Sequence, residues 1–339
     1  MKMKKIVGSF AFFVMVFMCV VIFNDAAEAA KTYRFSICFP PDYFVTQGFE
    51  RVFDKIKKDT NGEVQIKIYP ANQLGNYEQA YQEVMRGTID MAGNYVTPRF
   101  NKKFEIASFP YLVSSFDDCR RLVSKNSPYY KLMKKTYEET GVVYLGSFVE
   151  AINALALTKE KEITDPFKPG NKARTVRVEP TAAKRAWYVA AGYQVATVPY
   201  AELFTAMQTG IVDGNTGAGT ETTYTVLKDV VGSYVQYNNV VALNDFIISK
   251  KAWNSFDKKT QQIIINAFEA EVPKNINAAQ ESHEKYLKLL KDSGIKIYTP
   301  TKAEDEVLAK IAYTQVWPKY YELYGKKTFD EIVSFVKGK

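Results

Sequence analysis

Two stretches of this chain repeat one local pattern, a short β-rich run, a turn signal and an amphipathic helix, and that repetition limits the fold more than any other feature. In the first, Tyr33 to Phe39 ends at Pro40-Pro41-Asp42, and Gln47 to Thr60 then carries apolar residues at Phe49, Val52, Phe53 and Ile56. Asn61-Gly62 marks a turn, Val64 to Tyr69 reads as a strand, Tyr77 to Met85 as a helix, and Ile89 to Ala92 as a third strand. Alternating β and α units imply an α/β fold whose sheet is largely parallel, with helices on its faces.

The second stretch follows a helix at Pro128 to Thr140 and an apolar strand at Val142 to Phe148, whose continuation at Ala154 to Leu157 starts the crossing to another lobe. Thr175 to Val178 is a strand, Ala182 to Ala191 a helix, Tyr193 to Val198 a strand and Ala201 to Thr209 a helix, with Ile211 to Gly214 as a short strand running into a loop. Val235 to Leu243 and Phe246 to Ser249 are strands that return the chain to the first lobe. A helical pattern then runs from Lys258 to about Leu290 without glycine, and Pro273 should kink it. Two more helical segments, Ala303 to Tyr324 and Phe329 to Val336, end the chain.

The N-terminus sets the compartment. Lysines at Lys2, Lys4 and Lys5 precede an apolar run from Ile6 to Phe23 and a small-x-small site at Ala27-Glu28-Ala29, the layout of a cleavable secretory signal over residues 1–29. An uncleaved anchor is the competing reading, because the apolar run just reaches spanning length. About 310 mature residues exceed what one core usually holds, which predicts two lobes with a cleft. The expected division is 30–154 with about 243–282 in the first lobe, and 155–242 with about 283–339 in the second. The net charge of +8 is spread over lysine pairs that alternate with acids, such as Lys134-Lys135 and Lys250-Lys251, so no nucleic-acid footprint is expected.

Several chemistries lose ground. His283 is the single histidine and sits among Glu281, Glu284 and Lys285, which leaves no second imidazole for zinc and no base for a Ser-His-Asp or Cys-His arrangement. No phosphate loop or nucleophile elbow occurs, so no cofactor, no metal and no catalytic residues are expected. Cys38 and Cys119 either pair in an oxidising compartment or serve as small core residues.

In open α/β sheets ligands bind beyond the carboxyl ends of the strands, which points to the loops after Cys38, Ala92 and Val178. There Arg177, at a strand end ahead of Pro180-Thr181, offers a rigid fork suited to a carboxylate. An interlobe ion pair is its alternative use.

Taken in order, Gln73-Leu74-Gly75, Gly87-Thr88-Ile89-Asp90, Phe109-Pro110-Tyr111-Leu112, Val176-Arg177-Val178, the run Val198 to Gly210 that contains Pro199-Tyr200-Ala201-Glu202, and Val212-Asp213-Gly214 resemble the solute-binding subunits of tripartite ATP-independent periplasmic (TRAP) transporters. The resemblance covers nearly the whole mature chain. It implies a two-lobed periplasmic-binding-protein-like fold with a long helix spanning both lobes, a monomer that captures a small organic acid and delivers it to integral-membrane permease subunits. It gives Arg177 to the ligand carboxylate and sets Tyr200 against the ligand. Asn94 and Thr97 follow from the loop after the third strand, with Asn76, Tyr43, Phe44, Thr216 and Gly217 as further contacts. A sensory ligand-presenting protein would look the same, and a secreted enzyme would need two converging acids, for example among Asp90, Glu202 and Asp213.

Two departures bear on the ligand. Where members of that family read Asp-Gly-Gln-Glu-Asn-Pro, this chain reads Asp213-Gly214-Asn215-Thr216-Gly217-Ala218, so the ligand-facing amide is missing there. Some members also supply a second arginine from the crossing strand, but Asn153 to Leu157 is apolar here. Both departures favour a monocarboxylate with an apolar or aromatic tail over a dicarboxylate.

Overall fold

The computed structural model describes residues 31–338; the expected signal segment and its cleavage site lie outside them. The chain opens with β1 (Lys31–Ile37), α1 (Phe44–Asp59), β2 (Val64–Tyr69), α2 (Tyr77–Arg86) and β3 (Met91–Asn94). β1 pairs in parallel with both β2 and β3, as the alternation implied. Asn76 caps α2 by accepting from the Glu78 and Gln79 amides while the Gln79 side chain returns to the Asn76 amide, a reciprocal capping box. Gly87 closes that helix in the left-handed conformation at φ 72°.

Two helices, α3 (Phe116–Leu122) and α4 (Pro128–Glu139), lead into β4 (Val142–Thr158). The second unit is β5 (Thr175–Val178), α5 (Ala182–Ala190), β6 (Gln194–Thr197), α6 (Leu203–Gln208) and β7 (Gly214–Ala218), followed by β8 (Val231–Ser249). β5 is parallel to β6 and to β7. The sheet order is β2-β1-β3-β8-β4-β7-β5-β6, so the two α/β units hang from opposite ends of one antiparallel β4–β8 ladder.

That ladder makes the expected strand and its continuation one unbroken β4, and joins the two strands expected at 235–243 and 246–249 into one. Its pairing runs from Val142↔Ser249 to Asn153↔Val240, then resumes at Leu155↔Val235. The residues that looked like breaks are strand residues with buried polar jobs. Asp245, for example, accepts from Ser147 Oγ at 2.6 Å and Tyr137 Oη at 2.5 Å. The register jump leaves a bulge in β8 around Asn238, a non-glycine at φ 47°, midway between the two units. β7 also begins later than expected. Ile211 is exposed, Asp213 caps the Thr175 amide, and the ladder with β5 starts at Val176↔Gly214.

The long helix α7 (Lys258–Asp292) has 35 residues with Pro273 inside it, as expected, and it packs on both α1 and β4. Beyond it come β9 (Lys296–Tyr298), parallel to β8, then α8 (Lys302–Ile311) and α9 (Lys326–Val336). The C-terminal segment, expected with the second lobe, contacts both units. Trp187 Nε1 of α5 donates to the Leu308 carbonyl at 3.1 Å, but Trp317 Nε1 donates to the Pro110 carbonyl at 3.0 Å and α9 packs on α3 and α4. An aromatic group on the C-terminal segment, Tyr320, Tyr324 and Phe329 around Phe109, drives that bridging.

Candidate functional site

Because the two units hang from opposite ends of β4 and β8, their strand-end loops converge over the middle of the ladder and enclose a cavity of about 300 Å³. The first unit contributes Cys38, Asn76, Tyr95 and Thr97, the crossing strands Glu150, Asn153 and Val240 to Leu243, and the second unit Arg177, Glu179, Lys184, Tyr200 and Gly217. Such a volume is that of a small-molecule site.

Arg177 is only 2% exposed, although it ends a strand beside an open volume. Its Nε donates to the Val198 carbonyl at 2.9 Å, and Nη1 has a longer contact with Asn215 Oδ1 at 3.4 Å. Glu179 Oε1 lies 3.9 Å from Nη1. Lys184, 1% exposed on α5, donates to both Glu179 oxygens at 2.9 Å. Burial pushes the Glu179 carboxyl up, but Lys184 and Arg177 outweigh it and hold the group down at about 2. Two cations against one anion leave one positive charge of this cluster uncompensated, and Arg177 Nη2 has no acceptor among the described residues.

Glu150 stands on the crossing strand, 6% exposed. Tyr43 donates to its Oε1 at 3.2 Å and Tyr95 to its Oε2. Burial raises its pKa to about 8, Glu179 and Glu221 adding to the effect, so at neutral pH it is mostly protonated. Asp245, on the β8 wall, is raised by burial to about 6, with its oxygens held by Ser147 and Tyr137. The Cys38 thiol, raised by burial and by Glu150, is unpaired, as is the buried Cys119 thiol.

The structure distributes the expected site residues as follows. Arg177, Tyr200, Thr97, Asn76 and Gly217 line the cavity. Asn94 does not, because its amide is turned to the Tyr77 carbonyl at 3.0 Å. Thr216 is wholly buried, its hydroxyl donating to the Arg177 carbonyl at 2.9 Å, since strand alternation turns Asn215 and Gly217 towards Arg177 and Thr216 away. Tyr43 and Phe44 pack in the core, where Tyr43 acts on the cavity only through Glu150. Asn215 does not line the cavity; its Oδ1 meets Arg177 Nη1 and accepts from the Gly217 amide, and the buried cation beside Arg177, Lys184, is paired with Glu179. Glu150, Glu179 and Lys184 escaped the sequence reading. For Glu150 a signal existed, the one charged residue within the apolar run Val142 to Leu157.

Gly217 shows how little room the guanidinium has. A Cβ there would lie 2.3 Å from Glu179 Oε1 and 2.7 Å from Arg177 Nη1. Gly217→Ala should displace the charged heads and weaken ligand binding about 10-fold or more, by analogy with overpacking costs of about 1–3 kcal/mol. Isothermal calorimetry would check this, and unchanged affinity would show that the cluster tolerates a shift.

Residues 35–323 match the family described as bacterial extracellular solute-binding protein, family 7 (DctP). The chain belongs to this family. The C4-dicarboxylate-binding periplasmic protein DctP of Rhodobacter capsulatus is 21% identical over 298 residues, which cover 87% of this chain and 88% of that protein. A TRAP periplasmic solute-binding protein from Desulfovibrio salexigens with bound orotic acid superposes at a TM-score of 0.80, with 22% identity over 90% of this chain and 97% of that one. One from Haemophilus influenzae with bound L-gulonate superposes at 0.81, with 20% identity over 91% and 100%. The family 7 solute-binding protein described here thus has the two-lobed fold of TRAP receptors.

Proposed function

We propose that this solute-binding protein captures a small organic acid in the periplasm and hands it to the membrane permease subunits of a TRAP transporter. The observation that carries the reading is Arg177, a buried guanidinium with an unoccupied Nη2 beside a cavity whose nearest charged cluster is one positive charge in excess. A carboxylate arriving there gains a charge-assisted, directional pair in a dry site. Orotate and gulonate, bound by the two structural relatives, are both carboxylates, and the Rhodobacter relative is named for dicarboxylates.

The expected signal peptide, 1–29, fits the periplasmic reading. We assign 30–154 with about 243–282 to one lobe and 155–242 to the other, the C-terminal segment bridging them. Binding is hinge closure about the β4–β8 ladder: the ligand favours the closed state to the extent that it touches both lobes there. Arg177 and Tyr200 then act from one lobe, Asn76 and Thr97 from the other.

A thermal-shift screen of unfolded and refolded mature protein against aromatic, hydroxy, keto, branched-chain and dicarboxylic acids tests this. A ligand at 100 times its Kd should add about 2.7 kcal/mol. The midpoint should rise by several degrees for one acid class, and a flat response across all classes would reject the organic-acid reading.

A further inference from the structure

We propose that Glu150 sets the ligand class by requiring a hydrogen-bond donor, a hydroxyl or N–H, on the part of the acid remote from its carboxylate. This rests on the organic-acid reading above and deepens it. Arg177 and Lys184 are the two buried cations of the cavity, and both belong to the second unit, at the ends of β5 and in α5. Glu150 has no cation partner: Lys184 Nζ is committed to both oxygens of Glu179, and no ion pair forms to Glu150 among the described residues. Its two oxygens accept one tyrosine hydroxyl each, from Tyr43 and Tyr95. A carboxyl group has more lone pairs than that, and the ones left over belong to a side chain that lines the cavity.

Asn153, three residues further along the same strand, makes the same demand independently. It is 3% exposed, lines the cavity, and its Oδ1 has no hydrogen-bond partner in the protein. Native proteins seldom leave a buried polar atom unpaired, so an unpartnered acceptor on a residue of the cavity wall is available to a donor supplied by the ligand. Thr97 Oγ1, also buried, unpaired and in the wall, can serve as either donor or acceptor. A ligand hydroxyl satisfies Glu150 whether that group carries its proton or not. A bare methyl group in the same place would leave the acceptors unpaired, and a second carboxylate would be desolvated without a cation.

The test uses three matched sets of acids, each with a hydroxylated member, its deoxy analogue and its dicarboxylate. They are 4-hydroxybutyrate, butyrate and succinate; 4-hydroxyphenylacetate, phenylacetate and 4-carboxyphenylacetate; and galactonate, 6-deoxygalactonate and galactarate. Affinities are measured by calorimetry on wild type, Glu150→Met and Glu150→Gln, with the melting midpoint as a check of folding. In the set that binds, wild type should favour the hydroxylated acid over both analogues by about 10-fold or more, the scale of one buried hydrogen bond. Glu150→Met should lose that preference while holding the deoxy acid as before, and Glu150→Gln, which keeps an acceptor oxygen, should retain most of it. Equal weakening of hydroxylated and deoxy acids by Glu150→Met, or a wild-type preference for the dicarboxylate, would overturn the assignment and leave the organic-acid reading standing. Failure of wild type to bind any of the nine would overturn the assignment, and only a flat response across all the classes of the thermal-shift screen would overturn the organic-acid reading as well.

Discussion

Replacing Arg177 with methionine should weaken binding of the organic acid by about 100-fold or more while leaving the protein folded. Methionine fills much of the same volume, but the ligand carboxylate would then enter a buried site with no free donor fork, and stranding a buried charge costs about 3–5 kcal/mol. Lys184 cannot replace the lost group, because both Glu179 oxygens hold it at 2.9 Å. With Arg177 gone the pair that remains is neutral, so the excess positive charge of the cluster disappears as well. The fold loses less. The Val198 carbonyl gives up one donor at 2.9 Å, worth about 1–3 kcal/mol when left buried and unpaired. Calorimetry for affinity and a melting curve for folding separate the two effects, and an affinity within a few-fold of wild type would remove Arg177 from the site.

The largest loss of stability is expected from Gly192→Ala, at the junction of α5 and β6. Gly192 has φ +101°, and a Cβ there would lie 1.7 Å from the Gly170 carbonyl oxygen and 2.4 Å from its carbon. Both partners are backbone, so no rotamer change relieves the clash. The Lys172 amide also donates to the Gly192 carbonyl at 2.8 Å, which holds the loop 169–172 against this turn. Displacing that loop and straining the left-handed residue together should cost about 3 kcal/mol or more and lower the melting midpoint by about 5 °C or more. Gly62→Ala is the control. It has φ +87° but open space around its Cβ, so only the conformational penalty of roughly 1 kcal/mol applies. Equal midpoints for the two variants would mean that the 169–172 loop yields freely.

Both predictions concern the second unit because the Arg177 guanidinium is held there by short-range geometry. β5 is four residues long, and Arg177 lies opposite Asn215 on one side and Ala196 on the other. The turns that end its neighbours therefore decide where the guanidinium sits.

Much of this was written locally in the chain. Val64 to Tyr69 and Thr175 to Val178 emerged as strands with the expected bounds, because turn residues flank each run. The helix from Lys258 persisted through Pro273 to Asp292, since its apolar positions recur at helical spacing and no glycine interrupts them. Arg177 was legible as well, being a fork-shaped cation at a strand end ahead of a helix. These features depend on neighbours within a few residues, which a sequence displays directly. The fusion of two apparent strands into β8 depends instead on Asp245 meeting Ser147 and Tyr137, about 100 positions away, which makes an apparent break a satisfied strand residue. Glu150 entered the cavity wall for the same reason: its burial is tolerable only through Tyr43 and Tyr95, which lie 107 and 55 positions away in the chain. The sequence by itself determined the α/β alternation, the long helix and the strand-end position of Arg177. Tertiary structure alone decided which polar side chains are buried together around it, because burial and pairing over long separations leave no periodic trace in the order of residues.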